Sequence, residues 1–284
     1  MRTAVVTFTY NEAFNLPIWI KHYGANFGEE HLYIVDRGSD DDSLDTVGRA
    51  NVVPVPRKKF DEFEKTEFIS LFQNALLKFY DAVIITDADE LLIADPDRYG
   101  SLAEYVERAE FEHINAIGLE PIHLIDAEMP IDVDKPILSQ RRIARLQSPS
   151  CKKLLSKVPL KWLPGFHSCD APPVFDGHLF MIHTKVIDYA VSMRRQKINQ
   201  DTDWSERSQQ AVPQTHHKYT FETFIHQNYL TTLDLLKRGQ FTDLDIPAFL
   251  ADFSARVSQR DGFYYIPMDI RQLVTIPDRL KSCV

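Results

Sequence analysis

The first ninety residues alternate between short β-type runs and helix-type runs, and this rhythm restricts the fold more than any other feature. Residues 3–9 are apolar and suited to a strand. Residues 16–27 have helical character, with Asn11 or Asn15 as candidate caps and Gly28 as a stop. A second strand is expected over 31–35. A short helix is expected over 43–49, with Asp40, Asp41 and Asp42 at its N-terminal end, where the helix dipole favours acids. Residues 52–55 read as a third strand. A long helix is predicted over 61–80, because Ile69, Phe72, Leu76 and Phe79 fall on one stripe. A fourth strand is expected over 83–86. Parallel strands need crossover helices, and crossovers are right-handed, so the expected fold is α/β with a doubly wound, mostly parallel sheet.

The rhythm changes after Pro96. A helix is predicted over 102–109, an extended run over 114–125, a strand over 178–182 and a helix over 186–198. Residues 126–177 hold many prolines and no long periodic stretch, and 199–218 read as polar loop. Helices are expected over 221–236 and 246–257, with an irregular end. The expected organisation is a ligand-binding half over 1–95, a second half of the same domain over 96–218, and a C-terminal helical extension over 219–284.

Bulk properties narrow the function. The formal net charge is −9, which disfavours a nucleic-acid backbone as partner. No apolar run approaches the roughly 20 residues needed to span a bilayer. The N-terminal stretch lacks a signal-peptide pattern. Cys151, Cys169 and Cys283 form no CxxC pair, which suits a reducing compartment. The expectation is a cytoplasmic protein, with contact at the inner membrane face left open.

The segment VIITDADELL, residues 83–92, then raises a chemical problem. A buried strand runs into Asp87, Asp89 and Glu90, and like charges this close repel. Open α/β sheets bind ligands beyond the C-terminal ends of their strands. At those ends stand Thr7, Tyr10, Asn11 and Glu12 after the first strand, Asp36 after the second, and the three acids after the fourth. No GxGxxG or GxxxxGK[ST] is present, so backbone amides do not cradle phosphate here. A Mg²⁺ or Mn²⁺ ion held by carboxylates and by substrate phosphates resolves both difficulties. The bland alternative is a solvated acidic turn.

With TFTYNE at the first strand, VDRGSDD at the second and TDADELL at the fourth, the chain resembles the GT-A glycosyltransferases, nearest the family 2-like bacterial branch with its D-x-D-E metal motif. A weaker likeness continues through LPGFHS (163–168) and GHLFMIHTKVID (177–188). The resemblance implies a Rossmann-like GT-A domain that moves a sugar from a nucleotide-diphosphate donor, with UDP-sugar favoured, to a saccharide or lipid-linked acceptor in surface polysaccharide or glycoconjugate assembly. It implies that Thr7, Tyr10 and Glu12 line the base and ribose, and that Asp36 hydrogen-bonds the base. Asp87 would sit at ribose and metal, Asp89 would ligate the metal, and His183 would add a metal or diphosphate contact. Lys152 corresponds to a lysine that the branch places ahead of its GFH segment. Arg37 departs from the usual DDGS pattern and puts base identity in doubt.

Inversion, general in that family, needs a base for the acceptor hydroxyl. Asp170 is the first candidate, followed by Glu120 and His167. Glu90 is expected to shape the metal site. Simpler roles stand beside these. Asp36 could cap a helix, Glu12 could be a first-turn acid, His167 could close a turn, and Arg57, Lys58 and Lys59 could be a solvated face. His216 and His217 are expected to be solvated. Two other readings remain: a haloacid-dehalogenase-type phosphatase, whose strand also ends in DxD, and a non-catalytic nucleotide-binding protein of the same fold.

Overall fold

The computed structural model describes residues 1–211 and 219–284, so His216 and His217 lie outside the described residues. The chain begins with β1 (Thr3–Thr9), α1 (Asn15–Phe27), β2 (Leu32–Asp36), β3 (Asn51–Pro54), α2 (Glu62–Leu76) and β4 (Ala82–Ile85). These four strands lie in the order β3-β2-β1-β4, and every pair among them is parallel. Side chains alternate along β1. Val5 packs with Leu16, Trp19, Ile20 and Tyr23 of α1. Ala4 and Val6 pack with Ile69 and Leu76 of α2 on the opposite face. Helices therefore cover both faces, and the doubly wound α/β expectation holds.

The segments expected as helix or strand differ in detail. The short helix after β2 is a 3-10 turn, Asp42–Thr46, capped by Asp41. Asp61 caps α2 by accepting from the Phe63 and Glu64 amides. The predicted stripe on α2 breaks at its end: Phe79 is 73% exposed, because the helix stops at Leu76 and the chain tightens into a turn.

Near residue 95, where the two halves of the domain were expected to meet, the chain changes sheet. The strand β5 (Glu90–Ala94), which follows the acidic turn, leaves the first sheet and joins a second one. After α3 (Leu102–Arg108) come β6 (His113–Asn115), β7 (Ile117–Pro121), β8 (Ile143–Gln147) and β9 (Lys153–Ser156). β9 and β6 extend the first sheet antiparallel beyond β4. The proline-rich stretch therefore holds strands that its weak periodicity concealed. β10 (Ser168–Cys169) and β11 (Leu179–His183) follow, then α4 (Tyr189–Asp201) and α5 (Glu206–Ala211), the latter where loop was expected. α6 (Phe221–Ile225) and α7 (Thr231–Lys237) are joined through a π turn, and α8 (Ile246–Ala255) follows. The end is not irregular: β12 (Ser258–Arg260), β13 (Phe263–Tyr265) and β14 (Arg271–Thr275) close it.

The second sheet has the order β14-β8-β7-β11-β5. β5 and β11 pair antiparallel with Glu90 opposite His183, so the end of the acidic turn meets the end of β11. One large apolar cluster runs from α1 and β1 through both sheets to Val274 and Leu280, so the C-terminal segment belongs to the same core.

Candidate active site

The acidic turn is fixed from α1. The Trp19 indole N–H donates to Thr86 Oγ1 at 2.8 Å. The Tyr23 hydroxyl donates to the Glu90 carbonyl at 3.1 Å and accepts from the Leu92 amide at 2.8 Å. Across the turn, the Glu90 amide donates to the Asp87 carbonyl at 3.0 Å. The Asp89 carbonyl accepts from the Thr184 amide at 2.8 Å. Buried donors and acceptors are thus matched, and three carboxylates are presented from a rigid base.

The three carboxylates meet three cationic side chains, and Asp87 and Glu90 share one of them. Asp87 has Lys65 Nζ at 3.0 Å on one oxygen and Lys152 Nζ at 3.5 Å on the other. Burial opposes its charge, but the two ammonium groups outweigh burial and hold it well below the usual carboxylate range. Glu90, almost wholly buried, bonds Lys152 at 2.6 Å. There burial wins and its carboxyl is pushed up, despite Lys152. Lys152 is itself raised: burial lowers it, and Glu90 and Asp87 more than compensate.

Asp89 faces His183 instead, with Nε2 3.4 Å from Oδ2. The other ring nitrogen, Nδ1, lies 3.1 Å from Glu120 Oε1, close enough for an ion pair though out of line for a hydrogen bond. Burial disfavours the imidazolium, but Asp89 and Glu120 push it up to about 10. Glu120 is braced from behind by Arg145 Nη1 at 2.8 Å. A histidine flanked by one carboxylate at Nδ1 and open toward another at Nε2 has the arrangement that fixes a metal-ligating imidazole. Carboxylate and imidazole together suit Mn²⁺, and Mg²⁺ through the carboxylate. Among the described residues, no group of three or more such side chains is set to hold an ion. Asp89 and His183 therefore fit a cation only as a pair, with substrate phosphate and water completing its shell.

The other expected residues divide. Glu12 is brought to this edge. Arg195 Nη2 of α4 sits 2.8 Å from one oxygen and Asn15 Nδ2 2.9 Å from the other. Burial pushes Glu12 up to about 7 against the pull of Arg195, with Asp89 adding to the rise. Tyr10 lies at the edge with the Arg57 and Arg37 guanidinium carbons 4.5 Å and 5.3 Å from its ring centre. Arg37 also donates to the Lys58 carbonyl at 2.9 Å. Its departure from the acidic pattern is thus absorbed by packing and a backbone contact.

Several expectations are corrected. Thr7 is fully buried, because strand alternation turns it into the sheet's core face, so it does not line the cleft. Asp36 spends its carboxylate on its own turn, accepting from the Gly38 amide at 3.0 Å and the Ser39 hydroxyl at 2.6 Å. Asp87, expected at ribose and metal, is ion-paired on its two oxygens to Lys65 and Lys152, and its side chain stays 32% exposed. Asp170 is exposed on the far side of β9, where it accepts from the Lys161 amide at 2.9 Å. Its charge is felt at Lys153, not Lys152, and these neighbours point to opposite faces. Glu120 is held well below the usual carboxylate range by Arg145 and His183 against burial, which makes it a poor base.

His167 is the base candidate that reaches the cluster. Lys152, Asp87 and His183 are its charged neighbours, and burial with Lys152 pulls it down to about 3. Nδ1 lies 2.9 Å from the Pro149 carbonyl, an acceptor. Nδ1 therefore carries the hydrogen, and Nε2 keeps the lone pair.

Sequence reasoning missed Lys65, Arg145, Lys185 and Arg195. Lys65 had a signal: it stands one turn before Ile69 on the inward stripe of α2. Lys185 follows His183 by two residues, and its ammonium makes no ion pair or hydrogen bond among the described residues. Burial lowers it to about 8, with Glu120 and Asp89 opposing. Arg145 and Arg195 reach the site only through the sheet pairing and the placement of α4, which no local pattern reveals.

No protein-family pattern matches the chain, and no curated protein matches it in sequence. Among solved structures, it is similar to glucosyl-3-phosphoglycerate synthase from Mycobacterium tuberculosis, in complex with Mn²⁺, UDP and phosphoglyceric acid. That similarity has 22% identity and a TM-score of 0.24, over 32% of this chain and 34% of that one. It is also similar to mannose-1-phosphate geranyltransferase from Thermus thermophilus, with 12% identity and a TM-score of 0.30, over 43% of this chain and 42% of that one. The chain thus spans well under half the length of each protein.

Proposed function

We propose that the chain is a metal-dependent glycosyltransferase of GT-A type, moving a sugar from a nucleotide diphosphate to an acceptor hydroxyl with inversion. The observation that carries this reading is the Asp89–His183 pair, braced by Glu120, at the C-terminal edge of a parallel sheet. Two protein donors suit a cation that takes its remaining ligands from a diphosphate. A Mn²⁺ or Mg²⁺ ion held there supplies Lewis-acid stabilisation of the leaving diphosphate.

The chain's own residues do the rest. Lys185 offers an uncompensated ammonium to anionic substrate oxygens at the same edge. Lys65 and Lys152 hold Asp87 in one orientation toward the donor. Glu12, bridged to Arg195, joins the β1 loop to α4 and closes the nucleotide side of the cleft. His167, with Nδ1 anchored on the Pro149 carbonyl, keeps its Nε2 lone pair free to orient the acceptor hydroxyl by accepting its hydrogen bond. UDP-sugar is the favoured donor and a saccharide or lipid-linked hydroxyl the acceptor, with assembly of surface glycans as the setting. No helix among the described residues is long and apolar enough to cross a membrane. The phosphatase alternative fits less well, because DAD is followed by Glu90 and Leu91 and stands after the fourth strand of the chain.

Donor turnover tests the reading. With Mn²⁺ and a panel of nucleotide sugars, one donor should be consumed by transfer or slow hydrolysis. His167→Asn should lower kcat by about 100-fold with KM for the donor little changed. Asp170→Asn should stay within about twofold of the native rate. No turnover of any donor, or loss with Asp170→Asn alone, contradicts it.

A further inference from the structure

The outer face of α2 is apolar where a solvated face is expected. Phe68 is 36% exposed and Leu71 62%, and Phe79 in the closing turn is 73% exposed. Ala75 is exposed between them. Positions 68, 71, 75 and 79 follow the three-four spacing of a helix seam. The Phe68 ring stacks on Phe72 at 5.8 Å, so two aromatic rings form one plate beside Leu71. A contiguous apolar stripe on a helix is the form in which association surfaces occur.

The charges at its ends say what fits it. Glu67 and Lys78 are exposed, and neither makes an ion pair among the described residues. Glu67 lies in the helix and Lys78 in the turn that closes it, so the two stand at opposite ends of the stripe. A twofold axis perpendicular to two antiparallel helices keeps each flank on its own side and exchanges their ends. With the axis opposite Phe72 and Gln73, Glu67 of one copy meets Lys78 of the other, twice. That axis also centres the stripe, so Leu71 and Phe72 of the two copies meet in the middle. Charge and apolar pattern thus select the same register. A bilayer fits less well: Glu64 and Glu67 border the stripe and the chain carries −9, both of which oppose an anionic surface.

We propose that this face of α2 is a homodimer interface, formed by antiparallel pairing of α2 with α2 of a second copy of the chain. The pairing is independent of the transfer reading. The inward face of the same helix carries Lys65, so the dimer leaves the cleft residues uncovered.

Sedimentation velocity of the full chain between about 1 and 100 µM tests it, since a helix-pair interface lies at the weak end of the size range. The native chain should shift from monomer toward dimer over that range. Leu71→Glu should be monomeric throughout with an unchanged circular dichroism spectrum. Glu67→Lys should weaken the dimer roughly tenfold, and the double variant Glu67→Lys, Lys78→Glu should restore it, because exchanged charges re-form both pairs. A native chain that stays monomeric overturns the proposal. So does a dimer that survives Leu71→Glu. Native monomer that co-sediments with phosphatidylglycerol vesicles and loses this with Leu71→Glu also overturns it, in favour of a lipid surface.

Discussion

His183 stands between Asp89 and Glu120, and in the proposed reading a proton and a divalent cation compete for its Nε2. Its pKa is raised from the ordinary histidine value to about 10, so the ion pairs stabilise the metal-free fold fully below about pH 6.5 and are lost as pH rises through 10. The thermal midpoint of the metal-free chain should therefore fall between pH 7 and 10, and His183→Asn should flatten that fall. Mn²⁺ affinity should run the other way, rising about tenfold per pH unit below 10 because the ion must displace the proton. A midpoint slope that His183→Asn leaves intact would place the titration elsewhere. Lys152 tests the neighbouring pair. Lys152→Met should destabilise the chain by about 3 kcal/mol in urea unfolding, since Glu90 is left buried without its partner. The acids of this cluster were legible because three carboxylates directly follow a β-branched run. Of their cations, Lys152 was anticipated through the resemblance, whereas Arg145 was not, since it comes from a strand that the local pattern left ambiguous. Asp36 and Thr7 were misplaced for simpler reasons, a side chain turned onto its own loop and a strand face turned inward.

At the scale of elements, the part of the chain with regular periodicity was the legible part. β1, α1, β2, β3, α2 and β4 emerged from the alternation of strand-type and helix-type runs, because together they build one parallel sheet with a helix on each face. The second sheet was hidden because β7, β8 and β14 are short, joined through long irregular connections, and paired across more than a hundred residues in the case of β8 and β14. Nothing local announces such pairing, and the same distance concealed the break at β5. Gly118 shows how tightly this sheet is built. A Cβ on it would lie 2.3 Å from Ser150 Cβ and 2.6 Å from the Ser150 carbonyl carbon. Gly118→Ala should cost about 3 kcal/mol, at the upper end of overpacking effects. It should also weaken Mn²⁺ binding, because Glu120 lies two residues along the same strand. Unfolding curves and metal titration of the variant measure both. An unchanged midpoint would mean that the loop holding Ser150 gives way freely.

The whole molecule joins two sheets through the turn that carries the acids. The first sheet delivers Asp87 and Asp89 from β4, the second delivers Glu120 and His183 from β7 and β11, and β5 is the link between them. A net-acidic chain needs local cations to accept an anionic substrate, and Lys65, Lys152, Lys185 and Arg195 collect at this junction. The measurement that bears most directly on the account is calorimetric titration of UDP, GDP, CDP and ADP into the native chain and into Asp89→Ala, with and without Mn²⁺. One nucleotide diphosphate should bind at least about tenfold more tightly with Mn²⁺, and Asp89→Ala, still folded, should lose that gain. Binding that ignores the metal, or a gain that survives in Asp89→Ala, would contradict it.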